Sequence, residues 1–205
     1  DVTLLSADLR NFSAFGEARA PEESAAVLHF FFTCATEIIE RHGGRVHEFK
    51  GDSVLAVWDG HHLRSATAAL QAATDMQDDL RASLLLDFAP KGLEPLGLGI
   101  GIEQGPALIG SIGPAHRRSH TLLGDTVAIT LRIQEMTADI AHPILIGECA
   151  ARQLNDQDLE SQGSFLLAGL KTPHVLFAPR PDSGRADVYA DTHHVPDLKL
   201  VKGGK

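Results

Sequence analysis

The sequence predicts an α+β sandwich of the ferredoxin-like βαββαβ kind, a mostly antiparallel sheet with helices packed on it. Three observations point there. Short β-rich runs alternate with two long amphipathic stretches in the order β-α-β-β-α-β, a Gly-Asp pair closes a hairpin between the second and third β runs, and one more extended run follows. A chain of 205 residues, 43 % hydrophobic and 22 % charged, can bury roughly 70 % of its unfolded surface around one core.

Taken in order, Val2–Ala7 reads as a strand closing on Asp8. Pro21-Glu22-Glu23-Ser24 opens an amphipathic helix with Val27, Phe31, Cys34 and Ile38 at helical spacing, stopped by Gly43-Gly44. Arg45–Lys50 and Val54–Trp58 are extended runs around Gly51-Asp52-Ser53, a tight-turn signal. Leu63, Ala66, Leu70, Ala73 and Leu80 mark a second helix, followed by a Pro/Gly loop over 89–95 and strand-like Leu96–Ile102 and Ala107–Ile112. After Gly124-Asp125, Ile129, Ile133, Met136 and Ile140 share one side of a helix, although Val127, Ile129, Leu131 and Ile133 also alternate as strand residues do. Pro143–Ile146 and Phe165–Leu167 read as short strands flanking a helix near Glu148–Leu154. From Pro179 onward the chain is rich in Pro, Asp, His and Gly, so 179–205 is expected to form a mobile or surface-wrapped tail.

Composition narrows the function classes. With 18 basic against 27 acidic residues the formal charge is −9, which argues against a nucleic-acid partner. Cys34 and Cys149 are too few for a disulfide scaffold or a Cys-rich metal site and suit a reducing, cytoplasmic setting. No apolar run approaches the roughly 18 residues a bilayer span needs, and the first residues carry no basic region followed by an apolar stretch. The first residues already read as a strand with no initiator Met, so a longer protein is expected, with membrane attachment only through an unseen upstream segment. Of the eleven histidines, His61-His62 and His193-His194 fall in loops outside any ligand spacing and read as solvated surface. Phe30-Phe31-Phe32 reads as core or dimer contact, and Gly99 and Gly101 as close backbone packing in a strand.

Asp8 ends a strand and Asp52 sits on the tip of a hairpin built from neighbouring strands. Strand ends in one sheet can bring two carboxylates together, and the usual relief of their repulsion is a divalent cation with hard oxygen ligands. For an isolated Asp in either setting a local role is the commoner one: an Asp at a strand end caps a helix and an Asp at a hairpin tip makes the turn.

Four blocks carry more. Ser6-Ala7-Asp8-Leu9-Arg10-Asn11-Phe12-Ser13, Glu48-Phe49-Lys50-Gly51-Asp52-Ser53-Val54-Leu55-Ala56-Val57, Gly99-Ile100-Gly101-Ile102-Glu103-Gln104-Gly105 with Gly110-Ser111-Ile112-Gly113, and Thr121-Leu122-Leu123-Gly124-Asp125-Thr126-Val127 with Arg132 stand in this order. Together they resemble the catalytic domain of class III nucleotide cyclases, the adenylate and guanylate cyclase family, over residues 1–178. The resemblance implies a nucleoside triphosphate substrate, converted to the 3′,5′-cyclic monophosphate and pyrophosphate in a head-to-tail homodimer. Each of its two active sites would take residues from both chains. It implies two Mg²⁺ or Mn²⁺ ions per site on Asp8 and Asp52 with the Leu9 carbonyl, and backbone amides around Asn11, Phe12 and Ser13 cradling the triphosphate. Arg132 falls where the family places its transition-state arginine, Arg117 and Arg118 in the loop that reaches the terminal phosphates. Two positions depart: Ala128 stands where the family usually has a ribose-orienting Asn, and Ala168 where many members have a phosphate-binding Lys, with Lys171 close enough to substitute in part.

The family's base-reading pair falls on Glu48 and Thr121. A carboxylate accepts two hydrogen bonds, which suits the N1 and N2 hydrogens of guanine, and a mispaired buried carboxylate costs on the order of 3 kcal/mol. That favours GTP over ATP. Thr121 serves either base, and Lys50, two residues along on the same strand face, is the adenine-reading alternative. Against an active enzyme stand Ala128 and Ala168, which leave open a weak or silent cyclase-like domain that binds nucleotide or dimerises to regulate a larger protein. A diguanylate cyclase is disfavoured, because that family's Gly-Gly-acidic-acidic-Phe hairpin is absent.

Overall fold

A computed structural model describes residues 1–59, 64–86, 96–154 and 157–180. Strand β1 (Val2–Arg10) leads through the short helix α1 (Phe12–Glu17) into α2 (Pro21–Arg41), then the hairpin β2 (Arg45–Lys50) and β3 (Ser53–Asp59), then α3 (Ser65–Leu86) and β4 (Gly97–Gly105). β1 lies between β3 and β4, antiparallel to both, with Leu4 opposite Val57 and Ser6 opposite Gly101. The chain continues through β5 (Leu108–Ile112), β6 (Ser119–Leu123), α4 (Asp125–Asp139), β7 (Ile144–Gly147), the one-turn α5 (Glu148–Ala151), β8 (Leu159–Phe165) and β9 (His174–Pro179). The main sheet runs β2-β3-β1-β4-β7-β9-β8, its first four strands in the order of a split β-α-β pair, and only β4 and β7 run parallel.

Alternation along β1 sorts the two faces. Leu5, Ala7 and Leu9 join Val54, Ala56, Ile100 and Ile102 in the main core, closed by Val27, Phe31 and Ile38 of α2 and Ala69, Ala73 and Met76 of α3. Val2 and Leu4 point the other way and pack with Leu55, Val57 and Leu122. Within the aromatic triplet Phe31 is fully buried, while Phe30 and Phe32 are partly covered.

Several sequence expectations need correction. The run at Ala107–Ile112 is a strand, but it pairs with β6 in a separate two-stranded ribbon rather than extending the sheet. Only one side of that ribbon is buried, through Leu122 and Ile109, while Leu108 and Ile112 face solvent. β6 itself has no counterpart among the expected strands, since Ser119-His120-Thr121 hides its period. The expected strand at Phe165–Leu167 lies earlier, over Leu159–Phe165, a polar edge strand, and α5 is a single turn rather than a helix reaching Leu154. The loop over 89–95, Leu63, His61-His62, His193-His194 and the tail from 181 lie outside the described residues.

The segment after Gly124 is helical, and its buried face, Thr126, Thr130, Ile133 and Thr137, recurs every three to four residues. Its seat is made by the glycines of β4. A Cβ on Gly101 would meet the Thr130 carbonyl oxygen at 2.7 Å and the Gln134 backbone, and one on Gly99 would meet Thr137. Gly101→Val is therefore expected to cost about 1–3 kcal/mol or more, because backbone rather than a flexible side chain must give way. A lower denaturation midpoint at unchanged slope is the check.

Candidate active site

Asp8 projects from the face of β1 opposite the main core. Three residues on, Asn11 adopts the left-handed conformation (φ 65°) and turns the chain into α1. Gly51, also left-handed (φ 61°), shapes the hairpin tip, where the Ser53 hydroxyl donates to the Lys50 carbonyl at 2.8 Å. The Leu9 N–H then donates to the Asp52 carbonyl at 3.3 Å, tying the tip to the end of β1. Asp8 and Asp52 are thus delivered to one end of the sheet by two strands and a turn.

Their charges interact. Burial foremost, then the Asp52 carboxylate and then Glu135 push the Asp8 carboxyl from its ordinary 3.8 up to about 7. The folded chain therefore keeps a proton that the unfolded chain loses, so the stability from this group is full below about 3.8 and lost as pH rises through about 7. We expect the chain in chelator to melt at a lower temperature at about pH 7.5 than at about pH 5.5 by more than Asp8→Asn does, the difference between variants isolating this group.

A groove of about 460 Å³ opens beside Asp8, walled by Glu48 and Lys50 of β2 and by Leu131, Gln134 and Glu135 of α4. Asp8, Glu48 and Lys50 line this groove, and Asp52 lies on the turn between Gly51 and Ser53 at its rim without being among its lining residues. Glu48 is exposed in one chain, so the burial expected for its discrimination between bases requires a further covering surface. The Arg132 side chain is 42 % exposed, and its Nη1 donates to both carboxylate oxygens of Glu135, at 2.6 and 2.7 Å. Thr121 lies on β6, its hydroxyl donating to the Ser119 carbonyl at 3.3 Å. Arg117 and Arg118 occupy the exposed turn between β5 and β6, and Lys171 the exposed turn between β8 and β9. None of these last four lines the groove of a single chain. A larger groove, about 770 Å³, runs beside α3 past His42, Asp75, His142 and Arg180 and contains none of the expected site residues.

A family model described as the adenylate and guanylate cyclase catalytic domain matches residues 1–178. The chain belongs to that family. The cyclase domain is 32 % identical over 158 residues to adenylate cyclase 1 of Rhizobium meliloti (strain 1021), covering 76 % of this chain and 24 % of that protein. To the adenylate cyclase of Anabaena cylindrica it is 30 % identical over 157 residues, 75 % of this chain and 31 % of that one. It thus spans about a quarter to a third of the length of these curated relatives. Among solved structures, the guanylyl cyclase Cya2 aligns at 28 % identity with a TM-score of 0.75 over 90 % of this chain and 94 % of that one. The adenylyl cyclase CyaB from P. aeruginosa shares the fold at 20 % identity and a TM-score of 0.79, over 91 % and 96 %.

Two groove residues of the cyclase domain escape the sequence reading. Glu135 and Gln134 follow Arg132 on α4, and the Arg132-to-Glu135 spacing of three is the signal that a helical assignment makes legible. Arg10, another residue without an assigned role, is structural: its Nη2 donates to the carbonyls of Thr137 at 2.6 Å and His142 at 2.9 Å, fixing the end of β1 to the C-terminal end of α4. Of the departures, Ala128 is exposed on α4 and Ala168 is exposed beyond β8. Among the described residues no helix is long and apolar enough to cross a membrane.

Proposed function

We propose that this cyclase domain converts a purine nucleoside triphosphate, GTP in preference to ATP, to its 3′,5′-cyclic monophosphate and pyrophosphate. The observation that carries the reading is that burial and the neighbouring Asp52 and Glu135 carboxylates together hold the Asp8 carboxyl at about 7, beside a groove containing Glu48. Hard oxygen donors forced together in this way fit Mg²⁺ or Mn²⁺, two per site, with Asp8, Asp52 and the Leu9 carbonyl as the holding groups. When bound, such cations acidify the ribose 3′-hydroxyl and offset the charge of the departing pyrophosphate.

The chain's own residues do the rest. Backbone amides at Asn11, Phe12 and Ser13, where β1 turns into α1, orient the triphosphate. Arg132 leaves Glu135 to hold the phosphate that changes partners, its planar guanidinium presenting charged donors whatever the pH. Arg117, Arg118 and Lys171 hold the outer phosphates, and Thr121 with Glu48 reads the base. Since Thr121, Arg117, Arg118 and Lys171 stand outside the groove of one chain, a head-to-tail homodimer that completes each site from two chains supports their use. Leu108, 65 % exposed on the ribbon, and the exposed Ile112 and Leu123 suit such a contact. A nucleoside triphosphate substrate supports a cytoplasmic location for the domain.

Glu48 favours guanine because its two acceptors match the N1 and N2 hydrogens. A second reading has its own support: Lys50 lines the same groove, and the Rhizobium and Anabaena relatives are adenylate cyclases. The test is incubation with ATP, GTP, CTP and UTP in Mn²⁺ and chromatography of the products. Cyclic GMP is expected to dominate. Dominant cyclic AMP would transfer the base-reading role to Lys50, and no cyclic product at concentrations where the chain is dimeric would leave the silent regulatory role. Glu48→Lys should move the GTP-to-ATP preference about 5- to 150-fold toward ATP, because an unmatched buried group costs about 1–3 kcal/mol, measured as the ratio of kcat/KM values.

A further inference from the structure

Two imidazoles meet where the β5-β6 ribbon lies against the edge of the main sheet. His47 of β2 and His120 of β6, far apart in sequence, bring their rings to a centroid separation of 5.7 Å at an interplanar angle of 43°. The pairing register of β2 jumps between Val46 and Glu48, which leaves His47 as the extra residue of a bulge. A bulge re-aims a side chain, and here it hands the imidazole to a strand of the other sheet.

We propose that His47 and His120 form a two-imidazole site for a borderline transition cation of the Zn²⁺, Co²⁺ or Ni²⁺ class, which staples the ribbon to β2. The spacing supports this: with Zn–N of about 2.1 Å and a ring centre about 1.1 Å beyond the nitrogen, two arms at a roughly tetrahedral angle put the ring centres about 5.2 Å apart. The observed 5.7 Å lies within about 0.5 Å of that separation. Burial first holds His47 below the usual imidazole range, with His120 and Arg45 acting in the same direction and Glu48 opposing, so the ring keeps a free lone pair at neutral pH. Among the described residues no group of three or more His, Cys, Asp or Glu gathers to hold a metal, so water completes the coordination. Imidazole selects these cations over Mg²⁺, which separates this site chemically from the carboxylates of Asp8 and Asp52.

The site lies one residue from Glu48 on β2 and one from Thr121 on β6. Occupancy fixes those two strands of one chain relative to each other. The binding itself rests on no reading of the activity: a chain that binds Zn²⁺ and makes no cyclic nucleotide would overturn the proposed reaction and leave this site standing.

The experiment is isothermal titration of the metal-free chain with ZnCl₂ in excess Mg²⁺, which occupies the carboxylates. One zinc site per chain is expected, weakened about tenfold or more in His47→Gln and in His120→Gln, with unchanged circular dichroism in both. A variant carrying His193→Ala and His194→Ala should keep the site. Identical isotherms for wild type and both Gln variants would overturn the proposal, as would loss of the site in the His193/His194 variant.

Discussion

Asp52→Asn should abolish cyclic nucleotide formation, by about 10³-fold or more, while the fold survives. The local structure at this position depends on the backbone, because the Asp52 carbonyl accepts from the Leu9 N–H and Gly51 supplies the left-handed turn. Asn keeps that backbone and favours turns as Asp does, so melting temperature and circular dichroism should be close to wild type. What changes is charge. One donor for a hard cation is weakened, and the Asp8 carboxyl, held at about 7 partly by Asp52, should titrate lower, which a carboxyl-selective NMR titration reads without any turnover. Undiminished activity together with a lowered Asp8 would show that the carboxylates interact but do not serve the reaction. An unmoved Asp8 would remove the convergence on which the proposed reaction depends.

The parts of the fold legible in the sequence are those whose burial leaves a regular period or an unbroken apolar run. α2 buries one regular stripe, Val27, Phe31 and Ile38, which has a readable period, whereas β1 is buried on both faces and is legible as a short β-rich run. The Gly51-Asp52 hairpin is legible because a tight turn needs the left-handed freedom that Gly supplies. β8 is misplaced by pattern alone because Leu-Glu-Ser-Gln-Gly-Ser-Phe is an edge strand with little to bury. The ribbon is half legible: Leu108 and Ile112 alternate as in any strand, but nothing in that pattern says which partner strand they join. On α4, helix and strand periods compete in the sequence, and the contact of Gly101 with the backbone of Thr130 and Gln134 shows what a helix gains there.

The candidate site divides in the same way. Asp8, Glu48, Lys50 and Asp52 stand out through their motifs, and a sheet that places β1 beside β3 accounts for their proximity. Glu135 and the His47–His120 contact do not, because each depends on a neighbour brought by tertiary structure: α4 laid over β4 in one case, a bulge facing a separate ribbon in the other.

Ala128→Asn is expected to raise kcat by about 10²-fold, the size usually lost when one oriented hydrogen-bond donor is removed from a transition state. Ala128 precedes Arg132 by one helical turn, so both side chains leave the same face of α4. Alanine there offers no hydrogen-bonding group, whereas an asparagine amide offers both donors and an acceptor toward a ribose held between that face and the phosphate-binding arginine. The position is exposed, so the larger side chain displaces nothing, and the helix-propensity cost is about 0.7 kcal/mol or less. A gain confined to kcat, with KM little changed, would mean that the new contact forms as the ribose oxygen reaches the phosphorus rather than on binding. If the gain occurs in the wild-type background and disappears when combined with Asp52→Asn, the two residues serve one reaction. If Ala128→Asn leaves a measurable basal rate unchanged, the ribose does not lie against the face of α4 that Ala128 and Arg132 share.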